Sequence, residues 1–506
     1  MRVLLLVIVL LSALTVNAQN GQYPPSGVYI GLNQDFLYNL GQDFTNNLVN
    51  NLTNYPFQSI SGSSGSISYT FSSFKLALIL DDFYYLQGSA NGYELGWQNT
   101  QFELQWNYHI CDNTVFHPCE DGYIQVFTTG DNQTVTVATD VTIDFDSTTT
   151  SIQATGTYMV FDQGAVQINV QCTNTICVIP VDDIANSVAQ NFVTEATTTI
   201  TDLVNSKASD FAGLLNPIKK LPYSIHGEDY FVDYEGQIVE SSTANSFTPT
   251  MTLAVNGGII VQTTYGQFIY PTQQPSYIPA DYLLENFTSD YLMTFTPFFF
   301  ESLIDAAFDS EFPFLITPQM DPSSSPVTLN TSDPFFNQSC PELTGKYPDQ
   351  PISINLHDPV TPVVTIYPNG LLVLNGTVIT GDFTIDYQGD TLDVFSIDFT
   401  IDMELQLVLA VDGSNIQANV SLVSFTPNAT LASTIVGDVE MMGFVQILQL
   451  MQTVIKIPSF AYPVPAGYTI ETFTYETESQ ILQLFVDLSK NDLEVHRPSH
   501  NKLKAL

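Results

Sequence analysis

His109, Cys111, His117 and Cys119 form the densest group of chemically capable side chains in the sequence. Their H-x-C-x5-H-x-C order offers the nitrogen and sulfur ligands that zinc takes. The same two cysteines suit a disulfide across a hairpin in an oxidising compartment, with the histidines incidental, and that is the expected state. Cys172 with Cys177 is the other close pair, which leaves Cys340 as a free thiol or an intermolecular partner; spacing alone fixes no connectivity. No nucleophile sits in a recognisable setting. Gly62-Ser63-Ser64-Gly65 has the wrong spacing for a G-x-S-x-G elbow, and there is no H-E-x-x-H, phosphate loop or EF-hand loop. Asp81-Asp82 and Glu228-Asp229 are nominal acid pairs, and Asp382, Asp386, Asp398 and Asp402 a loose calcium set. Acids in the clear strands fall on the polar phase of an alternating pattern, where a solvated sheet face accounts for them. The expectation is a protein that is not an enzyme and has no cofactor and no metal.

The charge balance narrows the partners. Eleven Lys and Arg stand against 52 Asp and Glu, a formal charge of −41. Between residues 19 and 250 the only bases are Lys75, Lys207, Lys219 and Lys220. Such a field repels phosphate backbones and anionic lipid surfaces, which argues against nucleic acid as a partner. The start, with Arg2, an apolar run from Val3 to Leu11 and small residues to Ala18, reads as a secretory signal over 1–18, with the mature chain from Gln19. No later run is long and apolar enough for a transmembrane anchor. The expected address is the medium or an endolysosomal lumen. Eight Asn-x-Ser/Thr acceptors, at Asn51, Asn132, Asn286, Asn330, Asn337, Asn375, Asn419 and Asn428, are then expected to carry glycans on exposed turns.

The periodicity gives the elements that position these groups. Phe36, Leu40, Phe44, Leu48 and Leu52 recur every four residues with polar residues between them, an amphipathic helix closed before Pro56. From 66 to 170 the period becomes two, clearest where Val135, Val137, Val141, Ile143 and Phe145 alternate with Thr and Asp. Asp182 and Asp183 open a second helical stretch with Ile184, Val188 and Phe192 on one face, continuing through Ile200 and Leu203. The order then repeats. A helical segment is expected around Tyr282, Leu283, Phe287 and Tyr291, renewed at Thr296-Pro297 before Phe299, Phe300, Leu303 and Ile304. Strict alternation from Phe395 to Leu407 predicts a long strand of a curled sheet. A helix from Val439 to Ile457 ends at Pro458, and shorter strand-rich pieces fill 221–270 and 460–488. This reads as an α+β chain of two tandem modules.

Two helix, curled-sheet, helix modules in a chain of this length resemble the family of bactericidal/permeability-increasing protein, lipopolysaccharide-binding protein and the phospholipid and cholesteryl ester transfer proteins. Gly27-Val28-Tyr29-Ile30-Gly31-Leu32-Asn33, opening the first helix, is similar to the family's mature start. Pro279-Ala280-Asp281-Tyr282-Leu283-Leu284 resembles the start of its second module, and Thr365-Ile366-Tyr367-Pro368-Asn369-Gly370-Leu371 its C-terminal barrel strand and turn. The resemblance implies a boomerang of two barrels, each a long curled antiparallel sheet wrapped around a helix, joined by a central sheet. With the Pro-rich stretch Pro271, Pro275 and Pro279 as the boundary between the halves, the chain divides into one module with its part of the central sheet at 19–270, a linker at 271–280, a second module at 281–490 and a polar tail at 491–506. The resemblance further implies one disulfide from a barrel strand to the second helix, with Cys172 on the strand side and Cys177 as its partner. Apolar pockets for phospholipid or other acyl lipid would lie beside Phe36, Leu40, Phe44, Ile184, Val188 and Phe192, and beside Phe299, Leu303, Val445 and Leu448. One chain of about sixteen carbons is worth on the order of 10 kcal/mol of burial before losses of freedom, enough to bind without a charge contact. Two alternatives remain at this point: an innate-defence protein recognising bacterial lipopolysaccharide, and a glycosylated structural or adhesive protein.

Overall fold

The computed structural model describes residues 25–81, 83–89, 92–114, 118–128, 135–146, 149–161, 166–173, 190, 193–194, 196–207, 212, 220–225, 227–239, 251–271, 273–275, 287–320, 327–412, 415–451, 460–463, 468–478 and 480–490. The expectations resting on Ile184, Val188, Phe192, Cys177, Asn132 and Asn286 lie outside them.

The sheets are antiparallel throughout, and a six-stranded central sheet joins the two halves of the chain. Its order is Gly236–Val239, Met251–Val255, Val28–Leu32, Tyr291–Phe295, Ile481–Lys490, Tyr468–Glu478. Three strands come from each half. In both, the innermost strand runs directly into a helix: Val28–Leu32 into Gln34–Thr53, and Tyr291–Phe295 into Pro297–Glu311. These two lead strands pair with each other, Val28 opposite Phe295 and Leu32 opposite Tyr291.

Both lead strands correct the sequence reading. Gly27 to Asn33 was expected to open a helix, and Tyr291 to belong to one. Instead the five residues Val28–Leu32 and the five residues Tyr291–Phe295 are all buried strand. A strand covered on both faces reads as a continuous apolar run without period two, so periodicity cannot identify it. Val28, Ile30 and Leu32 face the main core, while Tyr29 faces a small cluster with Phe287, Leu292 and Ile481 on the opposite side. Gly31 is required there, since a Cβ would lie 2.8 Å from the Phe287 ring.

In the first half, two sheets of five and four strands flank the helix. One contains the hairpin Gln101–Asp112 and Cys119–Thr128; the other contains Val135–Asp146 and Thr149–Phe161. Val135, Val137, Val141 and Ile143 are buried on the phase expected of them. In the second half, a seven-stranded sheet is built on Leu371–Tyr387, Asp390–Asp412 and Asn415–Thr434. The strand expected at 395–407 is thus 23 residues long. Register shifts at Leu374/Thr377, Phe383/Thr384, Ser396/Ile397 and Glu404/Leu405 give this sheet the bulges that increase local twist and curl it. The expected helix at 439–457 begins at Met441 and is described to Met451.

Two large cores result. The main one runs from the first-half barrel strands through the central sheet to the helix Pro297–Glu311. A second, separate core lies in the curl of the seven-stranded sheet, where the Phe444 ring meets those of Phe335, Phe336, Phe383 and Phe395 at 5.1–6.4 Å. Among the described residues, no helix is long and apolar enough to cross a membrane.

Candidate functional site

The first helix starts at Asn33, whose side chain accepts from the Asp35 N–H at 2.7 Å and donates to the Phe287 carbonyl at 2.7 Å. The cap therefore also ties the helix to the second half of the chain. Further along, Gly41 lets the helix approach Phe83 closely, since a Cβ there would fall 1.9 Å from the ring. One turn on, Thr45 accepts a 2.6 Å hydrogen bond from the buried Trp97 indole, and Phe44 stacks on the same ring at 5.9 Å. The remaining apolar positions, Leu48 and Leu52, point into the barrel and are buried.

At the end of that helix lies an apolar cavity of about 30 Å³, lined by Leu52, Leu76, Leu78, Leu80, Phe102, Val135, Val137, Met159, Val193, Ala196, Ile200 and a single polar side chain, Thr100. Its far wall is the helical segment 196–207. That wall is fastened by polar contacts to the strand Thr149–Phe161: Asn205 Oδ1 accepts from the Ala154 N–H at 2.8 Å, and the Thr201, Thr157 and Thr139 hydroxyls form a chain at 2.5 and 2.9 Å. The volume is that of a water or two, so an acyl chain enters only as the walls separate.

The expected pocket residues that are described divide between the two cores. Phe36, Leu40 and Phe44 lie together in the main core, with Phe36 against Tyr468 of the central sheet at 5.8 Å. Phe299 and Leu303 join the same core from the second module, Phe299 between Phe295 and Phe300. Val445 and Leu448 pack instead in the second core. The structure therefore does not bring Phe299 and Leu303 together with Val445 and Leu448. The cavity residues on the strands were missed, although their signal was present: Leu76 and Leu78, and Val135 and Val137, hold alternate positions along strands, with Leu80 just past the end of the first.

Among the described residues, several of the chemically capable groups have partners. Cys111 and Cys119 form a disulfide, which leaves no thiolate for a metal, and Cys172 is disulfide-bonded as well. Cys340 is free and fully buried beside Phe336 and Leu343, so it offers no surface for an intermolecular bond. Each acid of the loose calcium set has a neighbour: Asp382 meets His357 and Ser396, Asp386 meets Thr391, Asp398 meets Thr380, and Asp402 accepts from the Gly376 N–H. Asp229 pairs with Lys220 at 2.7 Å. Of the described glycan acceptors, Asn51, Asn337, Asn375, Asn419 and Asn428 are exposed and Asn330 half-buried. Asn51 and Asn337 sit on helices and Asn375, Asn419 and Asn428 on strands, not on turns.

Residues 246–475 match the LBP/BPI/CETP family, C-terminal domain. UPF0522 protein A of Dictyostelium discoideum is 45% identical, the match covering 97% of this chain and 96% of that protein. Bactericidal permeability-increasing protein of Sebastes schlegelii is 24% identical over 56% of each chain. A crystal structure of lipopolysaccharide binding protein aligns over 92% of this chain and 100% of its own, with a TM-score of 0.43 and 15% identity.

Proposed function

We infer, because the chain belongs to the LBP/BPI/CETP family, that it is a non-enzymatic lipid-binding protein, exported from the cytosol, that holds a phospholipid or other acyl lipid by apolar burial and carries or presents it. The observation that carries this reading is the apolar cavity between the first helix and segment 196–207, in a barrel core with one polar lining residue. The shortage of cations favours apolar grip over charge. Between residues 19 and 250 there are four lysines and no arginine, against a chain total of 52 acids. In the alternative reading as an innate-defence protein, bacterial lipopolysaccharide is bound by the same apolar mode and the binding persists at high salt.

The test is organic extraction and mass spectrometry of protein purified from its native secretory host, alongside uptake of a fluorescent phospholipid. Stoichiometric acyl lipid and saturable uptake are expected. Failure of both overturns the reading, and self-association or cell adhesion that survives filling of the cavity would favour the adhesive alternative.

A further inference from the structure

The hairpin end that carries Cys111 and Cys119 holds more than a crosslink. Cys111 pairs directly with Cys119 across the ladder, and two positions along it His109 pairs with Asp121. His109 Nδ1 lies 2.7 Å from Asp121 Oδ1, and its Nε2 lies 3.3 Å from Cys111 Sγ. A carboxylate oxygen accepts, so Nδ1 carries a proton, and in the neutral ring Nε2 is the nitrogen whose lone pair is on the side of the sulfur. Ligand atoms of His109, Cys111 and Cys119 fall within 4.8 Å of one another.

We propose that reduction of the Cys111–Cys119 disulfide converts this hairpin end into a zinc site, with His109 Nε2 and the two cysteine sulfurs as ligands and Asp121 orienting the imidazole. Zinc bonds of about 2.3 Å to sulfur and about 2.0–2.1 Å to nitrogen put tetrahedral donors roughly 3.5–3.8 Å apart. The imidazole nitrogen already stands near that distance from Cys111, and the two sulfurs reach it once their bond is cut. A carboxylate on the far nitrogen of a ligating histidine is the usual support of such sites. The backbone frame does not depend on the disulfide, because Asp112 N–H donates to Pro118 O at 2.9 Å and Asn113 N–H to Ser66 O at 2.7 Å. The side chains are reachable, those of His109 and Asp121 being 54% and 57% exposed. The chemistry balances with a dithiol reductant. It gives two electrons and two protons to the disulfide and leaves as its own disulfide; Zn²⁺ then displaces the two thiol protons and takes a water as its fourth ligand.

The experiment compares the oxidised full-length chain with one reduced by a non-chelating phosphine, each incubated anaerobically with ZnCl₂, gel-filtered and assayed for metal. One zinc per chain is expected after reduction and none before. Cys111→Ser/Cys119→Ser should abolish uptake, which also separates this site from the disulfide of Cys172. Asp121→Asn should weaken binding by about 10–100-fold, and His109→Gln by more. His109→Gln leaves the disulfide in place, so it serves even where the double variant does not fold. Equal zinc in oxidised and reduced protein, retention by the double variant, no effect of His109→Gln, or loss of the β-sheet circular dichroism on reduction would each overturn the proposal.

Discussion

At the scale of single residues, a buried donor with a single acceptor makes that acceptor costly to remove. Trp97 is fully buried and its indole has Thr45 as acceptor. Thr45→Val keeps the shape and removes that acceptor, and should cost about 1–3 kcal/mol in denaturant unfolding. With Trp97→Phe already in place the same change should cost much less, because no donor is then orphaned; equal costs in both backgrounds would refute the coupling. Cys340 is the opposite case, a thiol with no polar role. Burial pushes it up to about 12, so it should resist a thiol reagent at pH 8 in the native chain and react only on unfolding. The close Cys111–Cys119 pair, read with an oxidising compartment, favours a bridge across the hairpin, and the structure has it. No local pattern identifies the partner of Phe36, because Tyr468 arrives from the other end of the sequence.

At the scale of elements, the helix Gln34–Thr53 is held by a close approach that its propensity opposes. Gly41→Ala raises helix propensity by about 1 kcal/mol yet places a methyl inside the Phe83 ring. The expected result is net destabilisation, largely relieved by Phe83→Ala at that variant's own cavity cost; a stabilised Gly41→Ala chain would contradict this packing. The cavity wall makes a functional counterpart. Ala196 is buried at 3% exposure, and Ala196→Leu should overpack by about 1–3 kcal/mol while reducing phospholipid uptake, whereas Leu78→Ala should increase it. Elements buried on one face were readable from the chain, as the first helix, the strands at 135–145 and 395–407, and the helix at Pro297–Glu311 demonstrate. The lead strands were not, because coverage on both faces erases the alternation. Nor was the split that puts Leu303 and Val445 in different cores, since that depends on how the long sheet curls.

At the scale of the whole molecule, charge sets the response to acid. Burial raises Asp233 from 3.8 to about 6, and burial likewise raises Asp290 and Asp309. Burial works to lower His357, but the Asp358 and Asp382 carboxylates outweigh it and raise the imidazole. Between its ordinary and raised values Asp233 is protonated in the folded chain and ionised in the unfolded one. Stability therefore rises as pH falls through about 6, by up to about 3 kcal/mol from this group. The His357 contribution is full below its ordinary value and is lost as pH climbs through the raised one, which acts in the same direction. With a net charge of −41 to relieve as well, melting should occur at higher temperature at pH 5.5 than at 7.5, and Asp233→Asn should narrow the difference; a melting temperature that fell steadily over that interval would refute it. The pairing of the lead strands has a further consequence, one of time. Val28–Leu32 leaves the ribosome early, but its neighbours are Met251–Val255 and Tyr291–Phe295. At about 5–20 residues per second the first of those partners follows roughly 10–45 s later. Throughout that wait, an apolar strand with two open edges is attached to a growing chain. A segment synthesised early is thus among the last to settle, and a nascent chain stalled before residue 251 should be cleaved by protease at 28–32, where the finished protein is closed.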